Sequence, residues 1–492
     1  MDSNEIQDKI RSVKKRIEKL IEQGHMEEAK AAIGKLEENM PGDQDICSMR
    51  AVIHILEGDA DKAEEVLLDG LKNDSVHFDL LYNLAYIYEQ KGQLQKAMEL
   101  YCKADTVADA PQKANIGEAV ARLKLADSSI EPVEKDRIVF FCRPGLDNFL
   151  GDIIQGLSED YFVRKMIVSD FSQIDKGMEW ADVCWFEWCD ELVVYGSRSP
   201  LAMQKKIICR LHSYEAFSGY TREVEWANAD KVIFVAEHIR QYVLSENEDL
   251  DIARTIVIPN GIDTDKFTFR KRDKGFKIAY VGYINYKKGP MLLLHTFKAI
   301  HDRDSRYKLY IAGKYQDPRY ELYFNQMTEE MGLKGDVIFD GWQDDINKWL
   351  EDKNFILCTS VLESQNLSVM QAMSKGIRPV VHNFVGARSI YPDRYVWNTI
   401  DEAVKMVVSD GYDSEEYHNF VRDNYSLHRQ LRNIRSAIDE LLSYKKIVRK
   451  INKAISGEIK PDELPCDDVT VLTPCYNRAR TLKEDLDKGL KL

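Results

Sequence analysis

Three glycines, Gly24, Gly58 and Gly92, recur every 34 residues, and three alanines, Ala29, Ala63 and Ala97, keep the same period. Ala51 falls over Ala85, while Ile33, Leu67 and Tyr101 occupy one bulky apolar slot. A repeat of this length holds a helix, a tight turn at glycine and a second helix. The small alanine lets the paired helices approach closely, and each hairpin buries its apolar stripe against the next one. The first hundred residues are thereby constrained to a stack of helical hairpins, whose clearest copy reads LYNLAYIYEQKGQLQKAMELYCKAD.

This pattern resembles the tetratricopeptide repeat, with three copies over roughly residues 6–110 and a capping helix near 111–125, so an α-solenoid domain is expected over 1–128. The resemblance implies a concave face that binds a peptide or partner protein. A role in bracing the rest of the chain, or in dimerisation, is an equal alternative. After ARLKLA, the run DSSIEPVEKD reads as a linker.

At 492 residues the chain exceeds a single core, and about three units are expected. Hydrophobic residues make up 44% and charged residues 30%, and no apolar run approaches the ~20 residues of a membrane-spanning helix. The charged start MDSNEIQDKIRSVKKRIEKL lacks the apolar core of a secretory signal, so a cytoplasmic location is expected. A net charge of -14 argues against a nucleic-acid partner, which would call for a broad basic face. The nine cysteines show no CxxC pair and no zinc spacing, and read as reduced, packed thiols; Cys184 and Cys189 come closest to a pair.

From Arg137 the periodicity changes. Short β-branched and aromatic runs (RIVFFC, VRKMIVS, DVCWFEW, KKIICRLH, KVIFVA, TIVIPN, then KIAYVGY, KLYIAG, DVIFDGW, NFILCTS and RPVVHN) alternate with amphipathic helical segments. Strands separated by helix-length segments build parallel sheets, and their number predicts two Rossmann-like α/β lobes, 137–262 and 263–425, meeting near IPNGIDTDKFTFRKRDKG. Ligands of such sheets bind at the carboxyl ends of the strands, so the expected site is the cleft between the lobes.

Three ordered motifs sharpen this expectation: VIPNGIDTDKF, then YVGYINYKKGPMLLLHTF, then CTSVLESQNLSVMQAMSKGIRPVV. Together they resemble glycosyltransferase family four, a GT-B fold, over about residues 137–445 and most strongly in the second lobe. The resemblance implies retaining transfer from a UDP- or GDP-type nucleotide sugar, held by the second lobe, to an acceptor on the first. The acceptor could be a glycan, a lipid-linked glycan or a protein. No cofactor and no metal are implied, the nucleotide sugar being a co-substrate.

The residues themselves supply the chemistry. Lys288, just before Gly289 at the start of a predicted helix, offers a point charge to a pyrophosphate, beside backbone N–H groups. By resemblance, Glu363 hydrogen-bonds hydroxyls of the donor sugar, and amides of Asn366, Leu367 and Ser368 face phosphate. Where the family carries an arginine after the glycine of its first motif, this chain has Gly282 then Tyr283, leaving Lys287 or Lys314 to compensate. Gln371 stands where a second glutamate would accept the ribose hydroxyls, a change that costs ~1 to 2 kcal/mol of donor affinity. His212, in CRLHSYEAF, takes the place of a histidine near the reacting sugar, with a structural role as the equal alternative. The loop RPGLDNFLGD, including Gly145 and Asn148, is the expected acceptor approach, and Trp342 either borders the nucleobase or packs. The resemblance also implies that the departing phosphate takes the acceptor's proton while Lys288 stabilises the developing charge, so no general base is assigned.

Residues 426–458 are expected to form helices bracing the lobes, and 466–492 contain VTVLTPCYNRARTLKEDL, which resembles the opening strand and turn of a family two (GT-A) glycosyltransferase, cut short. Tyr283 and Gln371 support a competing reading: a catalytically weakened nucleotide-sugar-binding scaffold whose repeat array recruits partners in a glycosylation assembly.

Overall fold

The computed structural model describes residues 3–456 apart from 73 and 149, so the run 466–492 lies outside the described residues. The described residues divide into two compact units between Leu431 and Arg432.

Seven helices fill the N-terminal region: Ser3–Glu22, Met26–Glu37, Gln44–Leu56, Ala60–Gly70, Phe78–Gln90, Leu94–Asp105 and Ala110–Ala126. The periodic glycines sit in the hairpin turns with left-handed backbone (φ 78°, 81° and 72°), a conformation that disfavours a Cβ. Ala63 and Ala97 are fully buried where paired helices touch, together with Leu67 and Tyr101. Short polar side chains start several helices: Asp43 accepts the Ile46 N–H, Asp59 accepts that of Lys62, and Asp109 forms a capping box with Gln112.

Among the described residues, twelve strands form two parallel sheets. The first contains β1 (Arg137–Cys142), β2 (Phe162–Ile167), β3 (Val183–Glu187), β4 (Lys206–Leu211), β5 (Lys231–Phe234) and β6 (Thr255–Val257), in the order β2-β1-β3-β4-β5-β6. The second contains β7 (Lys277–Val281), β8 (Lys308–Ala312), β9 (Val337–Gly341), β10 (Phe355–Cys358), β11 (Arg378–His382) and β12 (Val396–Trp397), in the order β12-β11-β10-β7-β8-β9. Helices on both faces bury β1, β3, β4, β5 and β10, which explains their predominantly apolar runs, with Glu187 and Arg210 among the buried exceptions. Chain order reverses between β1 and β3 and again between β7 and β10, opening a crevice at the carboxyl end of each sheet. Every expected strand is present, β1 over its full expected run, β2 begun one residue earlier at Phe162, and most others trimmed at their ends; β12 is an addition of two residues. The chain is thus a helical repeat array followed by two Rossmann-like lobes.

The array is built into the first lobe. A single apolar cluster runs from Leu80 and Tyr101 of the array to Phe141 and Met166 of the sheet. Along the outer edge of β2, the Ser75 N–H donates to the Lys165 carbonyl (3.0 Å) and the Lys165 N–H to Ser75 Oγ (2.8 Å). Arg164 makes two bonds to the Asp74 carboxylate (2.8 and 2.5 Å), and Trp180 Nε1 donates to Thr106 Oγ1 (2.8 Å). The run DSSIEPVEKD is mostly exposed, anchored by the buried Ile130 and Asp136.

Helix Leu427–Ser456 begins against the hinge, where the Leu427 N–H donates to the Ile262 carbonyl (2.9 Å) and Gln430 Oε1 accepts the Gly261 N–H (2.9 Å). No helix among the described residues is long and apolar enough to cross a membrane. The seven described cysteines are free thiols, and Cys189 finds its neighbour in Cys209: their mutual hydrogen bond, with burial, pushes the Cys209 thiol well up.

Candidate active site

At the crevice of the second sheet, β7 runs into a sharp turn. Gly282 has φ 141°, Asn285 caps the next turn by accepting the Lys288 N–H (3.2 Å), and Gly289 takes φ 62° immediately before helix Pro290–Arg303. A Cβ on Gly289 would overlap the Thr359 carbonyl, and Thr359 Oγ1 donates to the Lys288 carbonyl (2.9 Å). The backbone of Lys288 is therefore clamped between two strands that are adjacent only in space.

Its ammonium lies 2.6 Å from Glu363 Oε1, and that of Lys287 lies 3.9 Å from Glu363 Oε2. Ser360 Oγ donates to Glu363 Oε1 at 2.8 Å. Burial opposes a charge on Glu363, but the two lysines and these hydrogen bonds outweigh it and hold the carboxyl below its usual range. The result is an ionised carboxylate at a crevice mouth, flanked by two ammonium groups.

Asn366 has left-handed backbone (φ 60°) and starts helix Leu367–Ser374 without a side-chain cap, its amide turning to Cys358 Sγ instead (3.1 Å). The helix thus begins with backbone N–H groups of Leu367 and Ser368 that no side chain caps. Val369, Met370 and Met373 bury its other face. Gln371 lies on the cavity side and, with Leu367, Asn148, Arg210, Asn260 and Gln430, lines a cavity of about 260 Å³. Asn148, expected on the acceptor path, and Gln371, expected at the ribose, therefore line one and the same cavity. Gly145 is exposed with φ 77°, and its carbonyl accepts a long bond from Asn148 Nδ2 (3.5 Å).

Tyr283 and Trp342 are both exposed and their rings pair at 5.1 Å, so Trp342 is not packed into the core. Lys314 is exposed, and its carbonyl accepts the Ile284 N–H (2.9 Å); Lys287 is the lysine brought to Glu363.

His212 is buried, with Nε2 2.8 Å from Glu187 Oε1 and its ring 4.1 Å from that of Trp188. Trp188 holds φ 80°, strained for a side-chain-bearing residue, at the carboxyl end of β3. Glu187 also receives Arg210 Nη1 (2.9 Å) and Trp185 Nε1 (2.9 Å). Burial would raise its carboxyl, yet Arg210 and His212 keep it below the usual range. Arg210 continues to Asn260 Oδ1 at the hinge, whose N–H and carbonyl are both bound by the Gln365 amide (2.7 and 2.9 Å). A continuous buried polar chain thus joins first lobe, hinge and the loop carrying Glu363. The sequence signal for it is an acid in the apolar run CWFE and an arginine in IICRL, charges that the motif pattern does not select.

Residues 261–420 match the family described as Glycosyl transferases group 1, and residues 78–110 match a tetratricopeptide repeat. The UDP-Gal:alpha-D-GlcNAc-diphosphoundecaprenol alpha-1,3-galactosyltransferase of Escherichia coli is 22% identical over 329 residues, 59% of this chain and 84% of its own. The GDP-mannose:cellobiosyl-diphosphopolyprenol alpha-mannosyltransferase of Xanthomonas campestris is 27% identical over 213 residues, 41% of this chain, which spans 56% of that enzyme. Among solved structures, Anabaena HepE in complex with UDP superimposes with a TM-score of 0.53 at 14% identity, over 62% of this chain and all of that one. The two lobes thus share the GT-B fold of that structure.

Proposed function

From a chain that carries a group 1 glycosyltransferase domain behind a tetratricopeptide array, we propose that the lobes transfer a hexose from a UDP- or GDP-sugar to a glycan acceptor with retention of configuration. The observation that carries this reading is the Lys288–Glu363 pair at the β7/β10 crevice, 2.6 Å apart beside an uncapped helix start. Lys288 and the amides at Leu367 and Ser368 are suited to a pyrophosphate, and the ionised Glu363 to sugar hydroxyls. As the glycosidic bond breaks, negative charge grows on the leaving phosphate. Lys288 would stabilise that charge, while the phosphate takes the acceptor's proton on the front face of the sugar. The cavity behind Gln371, open to Asn148, offers room beside the ribose. Both curated relatives are named for nucleotide-sugar donors and diphosphopolyprenol-linked acceptors, which supports a lipid-linked glycan as the acceptor class.

The test is calorimetry of the purified chain against UDP, GDP and their common sugar conjugates, repeated with Lys288→Ala and Glu363→Ala. One conjugate bound, and lost in Lys288→Ala, is the expected result. NMR of the product then reads the anomeric configuration. A second reading is favoured by the Tyr283–Trp342 ring pair, which stands where a guanidinium is expected: a weakened lobe pair that recruits partners through the array. Absence of binding to every conjugate would select it.

A further inference from the structure

His238 lies at the start of helix Glu237–Glu246, just beyond β5, and therefore belongs to the first lobe. Its Nε2 nonetheless sits 2.8 Å from the backbone carbonyl of Glu363 in the second lobe. A carbonyl only accepts, so Nε2 carries the proton and donates. Nδ1 is buried and has no hydrogen-bond partner among the described residues. The second lobe closes around the ring. Gly386 takes φ 85°, and a Cβ there would overlap the imidazole. Val385 pairs with Leu362, the residue before Glu363, and its N–H reaches the Val361 carbonyl (3.3 Å). Burial lowers the basicity of His238, consistent with a neutral ring in a slot that provides one acceptor.

We infer that His238 is a positioning residue for the donor sugar: from the opposite lobe it fixes the backbone of Glu363, so that the carboxylate meets Lys288 and the sugar hydroxyls only when the lobes are together. This rests on the proposed role of Glu363. Its chemistry separates two parts of the donor. The nucleoside diphosphate is served by Lys288, the helix start at Leu367 and the Gln371 wall, none of which is hydrogen-bonded to His238. The sugar is served by Glu363, whose main chain His238 holds. Loss of His238 should therefore weaken binding of the sugar conjugate and spare the free nucleotide, whereas general loosening of the fold would weaken both.

The experiment compares, on the full chain, calorimetric affinities for the conjugate that wild type binds and for its matching nucleoside diphosphate, in wild type, His238→Ala and His238→Gln. His238→Ala is expected to lose about tenfold in conjugate affinity, as for one buried hydrogen bond, and less than about twofold for the nucleotide. His238→Gln, whose amide N–H reaches the same carbonyl, should recover most of the loss. Gly386→Ala, which displaces the ring without altering it, should reproduce the selective loss. Equal losses for conjugate and nucleotide, or no loss, overturn the inference and leave the donor reading intact. Wild type binding the nucleotide but no conjugate overturns the sugar role of Glu363, and this inference with it.

Discussion

Lys288 and Glu363 reach one another from β7 and β10, strands that neighbour in space but are separated in sequence by β8 and β9, and their charges meet at 2.6 Å. A pair assembled across a topological switch point depends on the whole second sheet being folded, and each partner conditions the other.

Removing only the cation leaves a buried carboxylate without its main counter-charge. Lys288→Ala should lower unfolding free energy by about 2 to 3 kcal/mol and abolish measurable donor binding. Adding Glu363→Gln should return most of the stability but none of the binding. Denaturant unfolding and calorimetry on the two single variants and the double variant separate these effects.

Gln371 lines the cavity as a neutral amide. Gln371→Glu should raise donor affinity about tenfold by restoring charge-assisted bonds to the ribose. Unchanged affinity would count against the ribose assignment.

Gly289 combines left-handed backbone with contact against the Thr359 carbonyl. Gly289→Ala should cost about 2 kcal/mol or more and displace Lys288, reducing donor binding alongside the melting temperature. Gly34→Ala, in an open helical position, serves as the control and should stabilise by ~0.5 to 1 kcal/mol.

Asp190 is buried at the carboxyl end of the first sheet, where it accepts the Leu192 N–H; burial pushes its carboxyl up to about 7. The unfolded chain ionises this group near pH 4, so the folded state is progressively penalised between about pH 4 and pH 7, by at most about 4 kcal/mol, and no further above that. Asp190→Asn keeps the accepting oxygen and removes the charge. Its melting temperature should exceed that of wild type by more at pH 8 than at pH 4.

The array, the strands and the position of Lys288 are legible because each leaves a local mark: a 34-residue period, an apolar run, a lysine before glycine at a helix start. His238 and Gln365 leave no such mark, since their partners lie more than a hundred residues away and a single polar residue near a helix start or in a loop has no period. Glu187 and Arg210 were readable in principle, being charges inside otherwise apolar strands, where burial requires a partner. What sequence could not give was which partner: pairing of Glu187 with both Arg210 and His212 follows from the parallel register of β3 on β4. Similarly, the sequence assigns Asn148 to the acceptor side and Gln371 to the donor side, and only the packing of the lobes brings both to the lining of one cavity.

The contact of Asp74 and Ser75 with β2 bears on how this chain can be dissected. An outermost strand presents unpaired N–H and C=O groups that recruit strands from other molecules. Here the loop between the second and third hairpins of the array occupies part of that border, at Lys165 and Met166. Cutting the chain before Arg137 to isolate the transferase lobes would bare that border together with the apolar surface around Trp180, and the product should self-associate. The helical region is in this sense a lid on a sticky seam, and any shortened version would need to keep the chain from the Asp74–Ser75 loop onward, Thr106 included.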